Sequence, residues 1–183
     1  FWVKDNNENV NVASITIGKM ALAVPAQSGT LTYTGSAQSP KWDSNYKTTY
    51  MTLGGTTSGT NATSYNATFT LKDTSNTQWN DGTTAAKTVA WTIGAKSISG
   101  SDITMTLGTT TYTYDGSAKK PTVTVKDTTR NVTLTSGTDY TLAYSNNTNV
   151  GTATATITGK GNYKDTKSAN FTINAATVTI PSS

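Results

Sequence analysis

The sequence predicts an all-β chain made of two tandem β-sandwich modules, with the end of an earlier module in front of them. Three observations carry this expectation. Thr, Ser, Gly and Asn dominate the 183 residues and charged residues are 13 %, which suits strands and tight turns, because β-branched side chains fit a pleated surface while Gly and Asn fit turns. A block of sequence occurs twice, about 81 residues apart. Apolar residues alternate with polar ones through nearly every apolar segment, the period of a strand with one buried face.

The repeat sets the boundaries. Tyr33-Thr34-Gly35-Ser36-Ala37-Gln38-Ser39-Pro40 returns as Tyr114-Asp115-Gly116-Ser117-Ala118-Lys119-Lys120-Pro121. Asn61-Ala62-Thr63-Ser64-Tyr65-Asn66-Ala67-Thr68-Phe69 corresponds to Asn149-Val150-Gly151-Thr152-Ala153-Thr154-Ala155-Thr156-Ile157, and Trp91-Thr92-Ile93 to Phe171-Thr172-Ile173. The spacing is wider at the second block than at the first and third, so insertions sit in loops.

Residues 1–18 read as the C-terminal strand region of a preceding module or as a linker, since Trp2 precedes Ile15-Thr16-Ile17-Gly18-Lys19 much as Trp79 precedes Trp91-Thr92-Ile93-Gly94-Ala95-Lys96. Module 1 covers 19–95, with Tyr65, Ala67, Phe69 and Leu71 on one inward face and Val89, Trp91 and Ile93 on another strand. Module 2 covers 96–176. Its inward series are Ile103, Met105, Leu107; Val123, Val125; Tyr140, Leu142, Tyr144; Ala153, Ala155, Ile157; and Ala169, Phe171, Ile173. Residues 177–183 are a linker or the start of a next module. Six or seven short strands per module suit a sandwich. Thr34-Gly35, Asp115-Gly116, Asn80-Asp81-Gly82 and Gly159-Lys160-Gly161-Asn162 are turn signals, because Gly supplies the positive φ of tight turns. Pro40 and Pro121 open edge strands. No window carries an apolar 3.6-residue period, so no long helix is expected.

Composition narrows function. Disorder would need few aromatics and a high net charge, but aromatics are 9 % and the formal charge is +4. The 14 basic residues include a single Arg, Arg130, too few forked side chains for reading bases or phosphates, so no nucleic-acid partner is expected. Cys and His are absent, which removes thiol chemistry, disulfides, most zinc and iron sites and the usual general base. No segment reaches the roughly 18 to 20 apolar residues of a helical membrane span, and no signal peptide opens the chain. No cofactor is expected.

In module 2, Tyr114-Asp115-Gly116, Gly137-Thr138-Asp139-Tyr140-Thr141-Leu142, Tyr144-Ser145-Asn146-Asn147, Asn149-Val150-Gly151-Thr152-Ala153 and Gly159-Lys160-Gly161-Asn162-Tyr163 resemble bacterial immunoglobulin-like surface repeats of the YDG type, over about residues 98 to 174. Module 1, with Ser28-Gly29-Thr30-Leu31-Thr32-Tyr33-Thr34-Gly35 and Trp79-Asn80-Asp81-Gly82, resembles a sister type of bacterial surface proteins and phage virions. The resemblance implies two tandem Ig-like β-sandwich modules, or a β-grasp-like variant, that serve as non-catalytic structural or adhesive spacers on a bacterial cell surface. The alternatives it implies are a phage virion component that binds host glycans, or a carbohydrate-binding accessory of a secreted enzyme. Either way it implies an extracellular location, neighbouring repeats or surface glycans as partners, and no catalytic residues. Thr63 departs from the pattern, standing where Gly151 supplies a turn in module 2.

Candidate sites are few. Nine Asp and one Glu are spread thinly, mostly in turns, so no glycosidase pair is expected. Oxygen ligands for calcium could come from Asp5, Asn6, Asn7, Glu8 and Asn9, or from Asn80 and Asp81, although a plain turn explains either group. Surface adhesins of this class sometimes join strands by a Lys–Asn isopeptide bond, and Lys19, Lys96, Asn170 and Asn174 lie near the required ends, but alternation points both Asn outward. Trp42, Tyr46, Tyr50 and Trp79 are the candidate glycan-binding residues, since aromatic rings stack on sugar faces; caps on the core are the competing assignment. Tyr33, Tyr114, Tyr65 and Trp91 read as core or corner residues, the repeated Tyr fixing its hydroxyl to backbone. Gly159-Lys160-Gly161 lacks the following helix of a phosphate loop and reads as a hairpin turn.

Overall fold

The structure, a computed structural model, describes residues 15–178, preceded by the backbone pairing of two short strands. The Asp5 to Asn9 calcium candidates therefore lie outside the described residues, as do most of residues 1–18 and 179–183. No helix occurs among the described residues. The molecule is all-β and carries several sheets.

The two preceding strands are β1 (Trp2–Lys4) and β2 (Val10–Val12), an antiparallel pair. The first half of the chain then forms β3 (Met20–Leu22), β4 (Gln27–Ser28), β5 (Leu31–Thr32), β6 (Lys41–Trp42), β7 (Met51–Gly55), β8 (Ser64–Leu71), β9 (Thr77–Trp79) and β10 (Lys87–Gly94). Its main sheet runs β5-β10-β8-β7, with two-stranded sheets β3-β9 and β4-β6 beside it. Alternation along β8 and β10 buries Ala67, Phe69, Leu71, Trp91 and Ile93 and turns Asn66, Thr70, Thr92 and Ala90 outward.

The second half forms β11 (Lys96–Ser97), β12 (Ile103–Leu107), β13 (Thr111–Thr113), β14 (Val123–Asp127), β15 (Val132–Thr133), β16 (Tyr140–Ser145), β17 (Gly151–Gly159), β18 (Tyr163–Lys164) and β19 (Thr166–Asn174). Its main sheet runs β13-β19-β17-β16, with a three-stranded sheet β12-β14-β15 and the pair β11-β18. Ile103, Val125, Leu134, Tyr140 and Ile157 share one apolar cluster, which packs the three-stranded sheet on the main one.

The repeat is structural as well as sequential. Tyr33 N–H donates to Gly94 O at 2.9 Å and Tyr114 N–H to Asn174 O at 2.8 Å; Lys72 N–H donates to Tyr50 O and Lys160 N–H to Asp139 O, both at 2.9 Å. Met20 N–H reaches Asn76 O at 2.8 Å, and Lys96 N–H reaches Asn162 O at 2.9 Å. In each half a short strand runs parallel to the last one: Leu31 opposes Ile93, and Tyr112 opposes Ile173. The turn glycines Gly35 (φ 80°) and Gly116 (φ 81°) hold the same left-handed conformation.

Two expectations need correction. Among the described residues the repeated Tyr does not anchor its hydroxyl to backbone, and Tyr114 is 39 % exposed rather than core. The anchoring hydroxyls belong to Tyr65, which donates to Asn61 O (2.9 Å) and accepts from Asn61 N–H (3.0 Å), and to Tyr144, which donates to Pro121 O. The Tyr65 bridge also explains Thr63. Gly151 lies at φ 136° while Thr63 stays out of the positive-φ region, and the first half closes this bend through the hydroxyl instead of through a glycine.

Candidate functional site

Three of the four predicted aromatics gather at one place. Trp42 and Tyr46 meet Phe69 edge-on at 4.8 and 5.5 Å, and Trp79 joins Met51, Phe69 and Leu71 in the same apolar cluster. Trp79 is 0 % exposed and its indole N–H donates to Ala85 O at 2.7 Å, because its pairing with Leu22 in β9 turns it inward. It therefore presents no ring face to a sugar. Trp42 and Tyr46 are half-buried, and Tyr50 is the one exposed member.

The polar candidates are spoken for. Asp81 accepts from Thr83 N–H, Thr83 Oγ1 and Lys87 Nζ, the last at 2.6 Å. The Lys87 ammonium, and after it Thr83, hold its carboxyl far below the carboxylate range, which favours an ion pair over an open calcium ligand. Lys19 Nζ donates to Thr74 O, and Asn170 accepts from Thr154 across β17 and β19. No Lys meets Asn170 or Asn174 among the described residues, so the structure does not assemble an isopeptide site. It also groups no three metal-ligating side chains among them.

The chemistry the sequence did not reveal sits between the two halves. Asp127, at the end of β14, is 0 % exposed. It accepts from Lys96 Nζ at 2.8 and 2.9 Å, Thr129 Oγ1 at 2.7 Å, Arg130 N–H at 3.2 Å and Tyr163 Oη at 3.1 Å. Lys96 Nζ also meets Asp102 at 2.6 Å and Thr129 Oγ1 at 2.7 Å. Arg130 Nη1 donates to the Tyr163 hydroxyl at 2.6 Å, and its guanidinium lies over the Tyr33 ring at 4.8 Å. Tyr33 and Tyr163 meet edge-to-face at 5.6 Å. One ammonium thus faces two carboxylates, the guanidinium binds a tyrosine hydroxyl, and aromatic rings from both halves close the group.

Burial pushes the Asp127 carboxyl up, but the bonds from Lys96, Thr129 and the Arg130 N–H outweigh it and hold it below its ordinary range. The hydrogen bond from Lys96 likewise lowers Asp102. Lys96 is pushed down by burial and raised further by its two carboxylates, so it is a firm cation. Burial lifts the Tyr163 hydroxyl to about 12. All four groups keep one protonation state near neutrality, and they hydrogen-bond to one another.

The junction has a second contact. Asn162 accepts from Ala62 N–H at 2.7 Å and donates to Asn61 Oδ1 at 3.2 Å, so the turn before β18 grips the bend before β8. Gly35 admits Arg130: a Cβ there would collide with the guanidinium. Thr32, Tyr33, Thr34, Lys96, Thr129 and Arg130 line an open cleft of about 310 Å³ along the seam. The one signal in the sequence was Arg130 itself, a lone Arg among 13 Lys, since a planar fork is what a buried cation–ring contact uses. No family model, no curated protein and no solved structure matches the chain.

Proposed function

We propose that residues 19–95 and 96–176 are tandem immunoglobulin-like modules of a non-catalytic extracellular spacer or adhesive stalk on a bacterial surface. The observation that carries this reading is the seam. The buried Asp127 group binds Arg130 and Tyr163 of the second module against Tyr33 of the first, and Asn162 fixes a second point about the Asn61-Ala62 bend. Two separated attachment points resist bending in a way one flexible linker does not. The chemistry of the seam favours mechanical coupling, for its ionisable groups are paired and fixed in charge. The burial of Trp79 weighs against a sugar-stacking platform, which favours the spacer over the glycan-binding alternatives.

Small-angle scattering tests the reading. A compact globule of this length has a radius of gyration of about 16 Å. A spacer gives a clearly larger value and an asymmetric distance distribution, whereas a value near that of the globule would reject it.

A further inference from the structure

The two halves end in the same surface, and one copy is covered while the other is bare. In the first half, Tyr33 is 8 % exposed because Arg130 and Tyr163 cover its ring, Gly35 lies against the Arg130 guanidinium, and Ala62 N–H is bonded to Asn162. The matching residues of the second half are Tyr114, Gly116 and Val150. Tyr114 is 39 % and Val150 55 % exposed, and a Cβ on Gly116 would meet nothing within 4 Å. The backbone is the same, since Gly35 and Gly116 differ by one degree in φ and the Tyr33–Gly94 and Tyr114–Asn174 bonds match.

Other exposed apolar residues repeat positions that are buried elsewhere in the chain. Ile17 (92 % exposed) precedes Gly18 as Ile93 precedes Gly94, and Ile93 is 2 % exposed. Val178, 83 % exposed, follows Asn174 by four residues as Ile98, 0 % exposed, follows Gly94. Met20 and Tyr50 belong to the opposite end of the first half, where Met20 N–H and Tyr50 O repeat the seam bonds of Lys96 and Asp139. Val178-Thr179-Ile180-Pro181 further repeats the spacing of Leu22-Ala23-Val24-Pro25, the opening of the first half.

We propose that the bare face formed by Tyr114, Gly116 and Val150 is the seat of a further unit built like the first half and joined through residues 174–178; this rests on the tandem-module reading. The chemistry of the two faces fits. Asn76 holds the position of Asn162, and its Oδ1 takes no hydrogen bond among the described residues, so it is placed to receive Val150 N–H. Met20 stands where Lys96 does and brings an apolar chain toward the exposed Tyr114 ring.

The test is a longer chain in which residues 1–175 are followed directly by residues 20–178, so that Asn174-Ala175-Met20 stands in register with Gly94-Ala95-Lys96. The two copies are isotope-labelled separately by ligation. Exchange of the Val150 amide in the first copy is expected to slow at least ten-fold relative to the parent chain, and Tyr114 there to resist nitration by tetranitromethane, while the second copy stays as reactive as the parent. Val150→Lys in the first copy should restore nitration of its Tyr114. Equal reactivity of Tyr114 in both copies, with both giving folded amide spectra, would overturn the proposal. An elongated scattering profile with a reactive Tyr114 would leave the spacer reading standing and remove this one; a compact profile with a protected Tyr114 would do the reverse.

Discussion

Asp127 illustrates how one buried charge is made tolerable. A carboxylate with no solvent contact is costly unless fully bonded, and here a Lys, a Thr hydroxyl, a backbone N–H and a Tyr hydroxyl all donate to it. Asp127→Ala is expected to cost about 3 to 5 kcal/mol in urea unfolding, because it leaves Lys96 half-partnered beside apolar groups. Adding Lys96→Met should recover much of that loss. The pH dependence has a definite sign. Asp127 and Asp102 are lowered in the folded state, so their contribution is present above pH about 4 and is lost as pH falls through the folded values. Tyr163 is raised to about 12, so its contribution is complete below about pH 10 and lost as pH rises toward 12. Urea midpoints should thus form a plateau between, with the acid limb shallower in Asp127→Asn. Glycine offers a paired comparison. Gly35→Ala and Gly116→Ala both strain a left-handed residue by roughly 1 to 2 kcal/mol, but only Gly35→Ala also displaces Arg130, and its denaturation midpoint should fall further.

At the level of elements, the long strands were legible and the short ones were not. Of the inward residues assigned to β8, β10, β17 and β19, Tyr65, Val89 and Ala169 are half-buried and the rest are buried, because eight or nine residues of strict alternation leave no competing register. Two-residue strands such as β4, β11 and β18 have too few positions to show a period. They exist through non-local pairing, as in the parallel match of Lys96 with Tyr163. The facing of Trp79 was not legible for this reason: β9 is three residues long and gains its facing from β3. The repeated Tyr was likewise assigned a corner role that Tyr65 and Tyr144 perform, since a hydroxyl's partner depends on a loop brought up from elsewhere in the chain. Tyr65→Phe is expected to lose about 1 to 2 kcal/mol in thermal unfolding through the two Asn61 bonds, while its stacking on Trp91 at 4.5 Å is retained.

For the whole molecule, the sequence showed two copies but not their joint. The seam joins Tyr33, Asn61 and Ala62 to Arg130, Asn162 and Tyr163, residues far apart in sequence that no periodicity relates. One apolar cluster also runs through it, from Trp91 and Ile93 to Ile98, Ile103 and Tyr163. Separate cores joined by a linker would melt independently, whereas a shared core and a bonded seam should make the halves unfold together. Arg130→Ala removes the contact over Tyr33 and the bond to Tyr163, so calorimetry is expected to show one transition in the parent and a broadened or split one in the variant.

Rigidity at the seam is the claim on which the spacer reading depends, and a chain without Cys allows it to be measured directly. Spin labels placed by Thr70→Cys in β8 and Thr141→Cys in β16, both exposed, report the distance between the halves by pulsed electron resonance. A single narrow distribution that broadens with Arg130→Ala is the predicted result. A broad distribution in the parent, or a narrow one unchanged by Arg130→Ala, would contradict the account.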